Sequence, residues 1–434
     1  MRKDPSAEQA AIGLTNVVGF DLRQPGSKRE RSILRELAAQ VGELAARPVE
    51  DEKRVRWTRH NDLESAEPIV FCDPENGWNE IIPQDQILCE VPLLRVWEMH
   101  LRKEIFWALG MKDDRVIEPV FDVPYAYTDT EWGLREENIQ TDPELGSYTW
   151  RSPIEDYDRD LQRLCYPRIT IDHEGTERAV SLAQDILGDL LQVRLRNAWW
   201  WSLGMTWDFI KLRGLENLLT DMIAQPDNVH RLMAYLRDGM LQKLDFLEAE
   251  GLLYPNAGGV YVGSGGFGWT KQLPGADACP DGARAAQMWG FAESQETVGV
   301  SPAMFGEFIL PYQLPLLERF GLNCYGCCEP LDDRWQQVSR VPRLRRVSVC
   351  AWADAAAMGE RLGSDYILSW KPSPTPLSQP QLDEDEIRRS LRAFLAATRG
   401  NIAELIMKDN HTLGGGPRNA VRWVELAREE IGRL

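Results

Sequence analysis

The chain has 434 residues, of which 43% are hydrophobic and 27% charged, with a formal net charge of −18. A field of that sign repels nucleic acid and anionic membrane, so neither is expected as a partner. No run of 18 apolar residues is present and no apolar stretch follows Met1-Arg2-Lys3-Asp4-Pro5, so neither a membrane span nor a secretory signal is expected. The eight cysteines (72, 89, 165, 279, 324, 327, 328 and 350) are scattered except for one cluster. That usage favours free thiols and a metal over a disulfide framework, and a reducing cytoplasm as the compartment.

Residues 1–26 are polar and weakly patterned, an arm. Ser27 to Ala46 has helical spacing (Ile33, Leu34, Leu37, Val41, Leu44) ended by Pro48, and a second, basic helical run reaches Asp62. Together residues 1–66 read as an N-terminal helical cap, and 67–434 as the main domain. Pro68 to Cys72 is the first compact buried-strand signal. Leu93 to Leu109 is an amphipathic helix and Val116 to Val123 a second strand. The stretch 125–192, with acidic loops, a short strand near Tyr148 and a helix from Glu177 to Leu190, reads as an insertion. Val193 to Asn197 is a third strand, running into Trp199-Trp200-Trp201, and helices follow to Glu250. Gly258 to Gly268 is a Gly-rich loop or hairpin. It does not match a phosphate-binding pattern, and its glycines suit close backbone packing beside a site.

From there strands and helices alternate: strands at 288–292, 322–327, 346–352, 366–370 and 403–407, with helices at 301–320, 333–338, 355–362, 383–399 and 418–431. Eight strands alternating with helices predict an α/β fold, a closed (β/α)8 barrel of the TIM type, with the insertion between strands two and three. In such a fold the chemistry gathers where strands end. The first ends in Asp73 to Trp78, the second near Asp122 and Tyr125, and the fourth in Glu293-Ser294-Gln295-Glu296. The fifth ends in Cys327-Cys328-Glu329, the sixth in Trp352-Ala353-Asp354, the seventh in Lys371-Pro372 and the eighth in Lys408-Asp409-Asn410-His411. Thiolate and imidazole are the ligands zinc prefers, so Cys327, Cys328 and His411 are candidate metal ligands. Adjacent residues on a strand face opposite ways, so one of the two thiols ligates unless the strand has already ended.

These residues also carry a resemblance. Val300-Ser301-Pro302, Phe305, Phe308 and Leu310-Pro311-Tyr312 resemble the Ser-Pro-x-x-Phe…Pro-Tyr segment of the uroporphyrinogen decarboxylase superfamily. Tyr325 to Pro330, Trp352-Ala353-Asp354, Lys371 to Pro374 and Lys408-Asp409 resemble its corrinoid (cobalamin)-dependent methyltransferase branch. The resemblance spans roughly 67–434 and departs in two places. The loop after strand one, Asp73 to Trp78, has no Arg where decarboxylases grip porphyrinogen carboxylates. Tyr325 or Gly326 stands where the thiol-methylating branch has His. The resemblance implies the methyl-removing half of a corrinoid demethylation system, acting on a small methyl donor such as an aryl methyl ether or a quaternary amine. Its methyl acceptor is a methylcobalamin-type corrinoid on a corrinoid-binding protein. It also implies a zinc ion held by Cys327 or Cys328, His411 and Glu293 as Lewis acid, with Glu296 or Asp354 as general acid. Trp78, Asp122, Trp199, Trp200, Trp289, Tyr325, Trp352 and Lys371 form the expected substrate-contacting set. The alternatives are a zinc-independent decarboxylase or lyase on a non-porphyrin substrate, and a non-catalytic binding barrel. A homodimer is one assembly the sequence allows.

Overall fold

The computed structural model describes residues 16–140 and 148–433, so the polar arm expected over 1–26 lies mostly outside the described residues. Helix α1 (Lys28–Ala45) starts where the sequence asks for it. Ser27 Oγ accepts from Glu30 N while Glu30 Oε2 accepts from Ser27 N, a reciprocal cap that satisfies two orphan donors. The other Glu30 oxygen accepts from Glu90 N and Val91 N, which fixes α1 against the start of helix α3 (Pro92–Phe106). Between them, helix α2 (Pro48–Asn61) ends in a buried His60 and Asn61.

All eight expected strands are present. β1 (Ile69–Cys72), β4 (Trp289–Ala292), β5 (Leu322–Tyr325), β6 (Leu344–Val349), β7 (Ile367–Trp370) and β8 (Ile402–Met407) form one six-stranded parallel sheet, in the order β1-β8-β7-β6-β5-β4. β2 (Val120–Val123) and β3 (Gln192–Leu195) form a separate parallel pair. Ile-Val-Phe-Cys in β1 and Ile-Ala-Glu-Leu-Ile-Met in β8 are buried at every position. Runs buried at every position are what parallel strands covered on both faces require, with Glu404 the one charge within them. The sequence predicts a single closed sheet, whereas strand pairing divides it in two, with side-chain bonds at one edge and a loop backbone bond at the other. Asp114 Oδ2 accepts from Val70 N and Asp113 Oδ2 from Cys72 N, on the edge of β1 where a neighbouring strand would sit. At the other seam Leu203 N donates to Phe291 O of β4.

The helix expected over 301–320 divides into Pro302–Phe308 and Leu310–Leu317. Pro311 lacks the N–H that would continue the ladder across the junction. The Gly-rich segment is a hairpin, Tyr261–Val262 against Gly266–Phe267, and it packs as closely as its composition suggests. A Cβ at Gly263 would sit 2.8 Å from Cys324 Cβ, and one at Gly266 would sit 2.6 Å from Arg346 Cζ.

Beneath the hairpin, charges run through the apolar core. Arg346 of β6 lies with its Nε 2.9 Å from Glu404 Oε1 of β8, and Glu404 Oε2 is 3.2 Å from His60 Nε2 of α2. Arg346 Nη2 also donates to Asn61 Oδ1 at 2.6 Å, while Ser369 Oγ donates to Glu404 and Lys371 Nζ donates to Ser369 Oγ. His60 and Glu404 are fully buried. The C-terminal turn of α2 is therefore bound to two strands that lie about three-quarters of the chain away.

Candidate active site

At the carboxyl ends of the strands lies a cavity of about 1010 Å³. Open parallel α/β architectures bind ligands at this end of their strands. Its polar end is set by β5. That strand stops at Tyr325, and Gly326 turns the chain at φ +92°. A Cβ there would meet Leu331 Cδ1 at 2.5 Å, so both conformation and space demand glycine. Because the strand has already ended, the two-residue alternation no longer applies, and both Cys327 and Cys328 reach the cavity, their sulfurs 3.6 Å apart.

Cys327 is buried and held on several sides. Ser264 Oγ of the hairpin donates to its sulfur at 3.2 Å, and its N–H donates to Glu329 Oε2 at 2.9 Å. The hydrogen bond with Cys328, together with burial, pushes the Cys327 thiol well up, against the pull of Lys408. Cys328 is exposed, 3.8 Å from Asp409 Oδ2. Lys408 Nζ sits 3.2 Å from Glu75 Oε1 and 3.9 Å from Asp409 Oδ1. Burial works against the Lys408 charge, but Glu75 and then Asp409 outweigh it and hold the ammonium charged far beyond its ordinary range. Asp73 accepts from both Trp78 Nε1 and the Tyr261 hydroxyl, which ties the hairpin to the loop after β1. Gly263→Ala would push a methyl group into Cys324 from a left-handed backbone (φ +67°). It is expected to cost about 1–3 kcal/mol of stability in urea titration, as overpacking does.

The wall of the cavity is aromatic. Trp78, Trp199, Trp200 and Trp289 all line it, as do Trp201 and Trp207. Their indole nitrogens are spoken for where buried: Trp199 Nε1 donates to Leu252 O and Trp289 Nε1 to Gly268 O. Asp122 lines the cavity between Arg194 and Arg196. The remaining expected residues lie elsewhere. Tyr325 is fully buried beneath the site, its hydroxyl donating to Gln313 Oε1 at 2.6 Å. Lys371 belongs to the core network, where burial brings its pKa down to about 8. Trp352 is 79% exposed, and Asp354 caps the helix Ala355–Leu362 by accepting from Ala356 N and Ala357 N.

Glu293 and Glu296 stand behind the cavity wall. Glu293 accepts from Ser202 Oγ and Gln295 N, and Glu296 accepts from Thr206 Oγ1 at 2.6 Å. Burial first, then the neighbouring Glu296 and Glu329, raise the Glu293 carboxyl well above the usual range. His411 lines the cavity with its Nδ1 3.3 Å from Asn76 Nδ2. Among the described residues no three His, Cys, Asp or Glu side chains converge to hold a metal ion. A catalytic zinc takes three protein ligands. Glu293, Cys327, Cys328 and His411 do not fit one among the described residues.

No protein-family model matches the chain, and no curated protein matches it. Among solved structures it is similar to a methyltransferase from Methanosarcina mazei. That similarity has 13% identity and a TM-score of 0.47, covering 87% of this chain and 98% of the other.

Sequence reasoning missed Lys408 as the cationic pole, Tyr261 on the hairpin, and Arg194 and Arg196. The last two carried a signal. Arg-x-Arg on a strand puts two charges on one face, and a charged face on a strand of a parallel sheet needs a reason.

Proposed function

We propose that the protein is a methyltransferase on a (β/α)8 barrel. It moves a methyl group from a small aromatic methyl ether to a reduced corrinoid carried by a partner protein. The observation that carries this reading is the cavity itself: tryptophans form the wall, and two thiols and Lys408 form one end. Segments resembling the corrinoid-dependent branch follow two different strands, β5 and β8, and supply that end together.

In this reading the indoles hold the flat ring of the donor, a contact worth about 0.5–1.5 kcal/mol per aromatic pair beyond its buried area. The carbon–oxygen bond breaks with its electron pair going to oxygen, and the methyl carbon is taken by an electron pair of the acceptor. Lys408 faces the charge that grows on the leaving oxygen and is fixed in place before reaction by Glu75 and Asp409. A donor preorganised in this way stabilises developing charge without reorganising. Cys327 and Cys328 flank it.

The test is methyl transfer from methoxyarenes to free cob(I)alamin, followed by the absorbance of the corrinoid and by chromatography of the phenol. Equal amounts of methylated corrinoid and phenol are expected. Release of carbon dioxide without methyl transfer would replace this reading with the decarboxylase one. Transfer from neither aryl ethers nor methylamines would end it.

A further inference from the structure

We propose that Arg194 and Arg196 form a carboxylate-binding subsite, so that the substrate carries a single carboxylate on its ring; this rests on reading the cavity as the substrate site. Asp122 and Arg194 are register partners on the paired strands β2 and β3. Arg194 grips Asp122 with Nε at 2.8 Å and Nη2 at 3.1 Å. Arg196 reaches the same carboxylate with Nε at 2.8 Å and Nη2 at 2.7 Å. All three residues line the cavity.

Two guanidiniums on one carboxylate leave one positive charge over. Arg196 is only 8% exposed, and its Nη1 makes no hydrogen bond among the described residues. A buried cation with spare donors facing a cavity is costly until an anion meets it. Glu118 lines the same cavity near Arg194, but burial pushes its carboxyl up toward the neutral form. Lys103 also lines the cavity, its Nζ 5.4 Å from the Trp78 ring and without an ion pair among the described residues, and burial pulls its pKa down. The planar fork of an arginine matches a carboxylate better than any uncharged group of the same shape.

The opposite limit is also present. Asp73 and Glu75, from the loop after β1, line the cavity as well. Each is already engaged, Asp73 by Trp78 and Tyr261, and Glu75 by Lys408. A second anionic group on the substrate would have to approach these two carboxylates, which disfavours a polycarboxylate.

The test uses 4-methoxybenzoate, its uncharged amide 4-methoxybenzamide, and benzoate, titrated into wild type, Arg196→Gln and Arg196→Lys. The readout is quenching of the cavity tryptophans, with thermal melting as a folding check. Wild type is expected to bind 4-methoxybenzoate at least tenfold more tightly than the amide, as a hydrogen bond to a charged group allows. Arg196→Gln should erase that preference and Arg196→Lys should keep part of it. Equal affinity for acid and amide, binding of neither, or a preference that survives Arg196→Gln overturns the subsite. If Arg196→Gln does not fold, the acid–amide comparison on wild type decides. Benzoate separates the two readings. Arg196-dependent benzoate binding without methyl transfer from any donor keeps the subsite and removes the methyltransferase. Transfer from the amide as fast as from the acid, with equal affinities, does the reverse.

Discussion

Arg346→Met is expected to lose roughly 3–5 kcal/mol of stability in urea titration, the usual cost of leaving a buried charge without its partner. The stranded group is Glu404, fully buried on β8. Burial disfavours its charge, yet Arg346 and then His60 overcome this and hold the carboxyl far below the ordinary range. Glu404→Gln should cost a comparable amount by stranding Arg346. The double variant Arg346→Met/Glu404→Met should recover part of the loss, because an apolar pair of similar volume needs no compensation.

The pH dependence follows from the same groups. A carboxyl depressed in the folded state stabilises fully above its unfolded pKa, about 4.3, and that contribution is lost as pH falls through the acid range. His60 acts with the same sign. Burial lowers its pKa despite Glu404, so below about pH 6.5 the unfolded chain takes up a proton that the folded chain refuses. Wild type should therefore weaken on acidification from near neutrality, and Arg346→Met should show a shallower slope below pH 4. Equal slopes in the two proteins would show that the network does not hold Glu404 ionised.

The second large effect is expected at Lys408. Lys408→Met should lower kcat for methyl transfer about 10²–10³-fold, the range seen when one preorganised donor to a developing oxyanion is removed. Lys408→Arg keeps the charge but moves the donors, and should fall between. The discriminating readout is the split between constants. A residue acting on charge that exists only in the transition state lowers kcat and leaves KM nearly unchanged. If Lys408 serves only to neutralise Glu75 and Asp409, KM and the melting temperature should move instead, and kcat should not.

How much of this was legible in the sequence differs by level. The six strands of the main sheet were, because buried parallel strands are short, mostly apolar runs between Gly, Pro and Asp, whereas β2 and β3 are only partly buried. The seams were not. Asp113 and Asp114 stand between a helix and a strand, and nothing local shows that their carboxylates occupy a strand's hydrogen-bonding positions. The break at Pro311 was written in the chain, yet the apolar spacing ran straight across it. At the site, both cysteines reach the cavity because the strand ends two residues before them, a boundary shift smaller than periodicity can fix. Trp352 and Asp354 read as rim residues because they follow a strand. However, the direction in which a loop turns its side chains depends on what it packs against. Asp354 carried the competing signal of a helix cap, and the structure places it there.

The contact between His60 and Glu404 has a consequence for biosynthesis. Its partners are separated by 344 positions, so the basic helix emerges from the ribosome long before the strand that receives it. At about 5–20 residues per second the wait is roughly 20–70 s. Throughout that time the imidazole lacks its carboxylate partner, while Asn61 meets the hairpin carbonyls of Phe267 and Trp269 well before β8 is made. The final strand then completes the sheet and brings Glu404 to the imidazole, so a nascent chain truncated before it should be prey to chaperones and proteases.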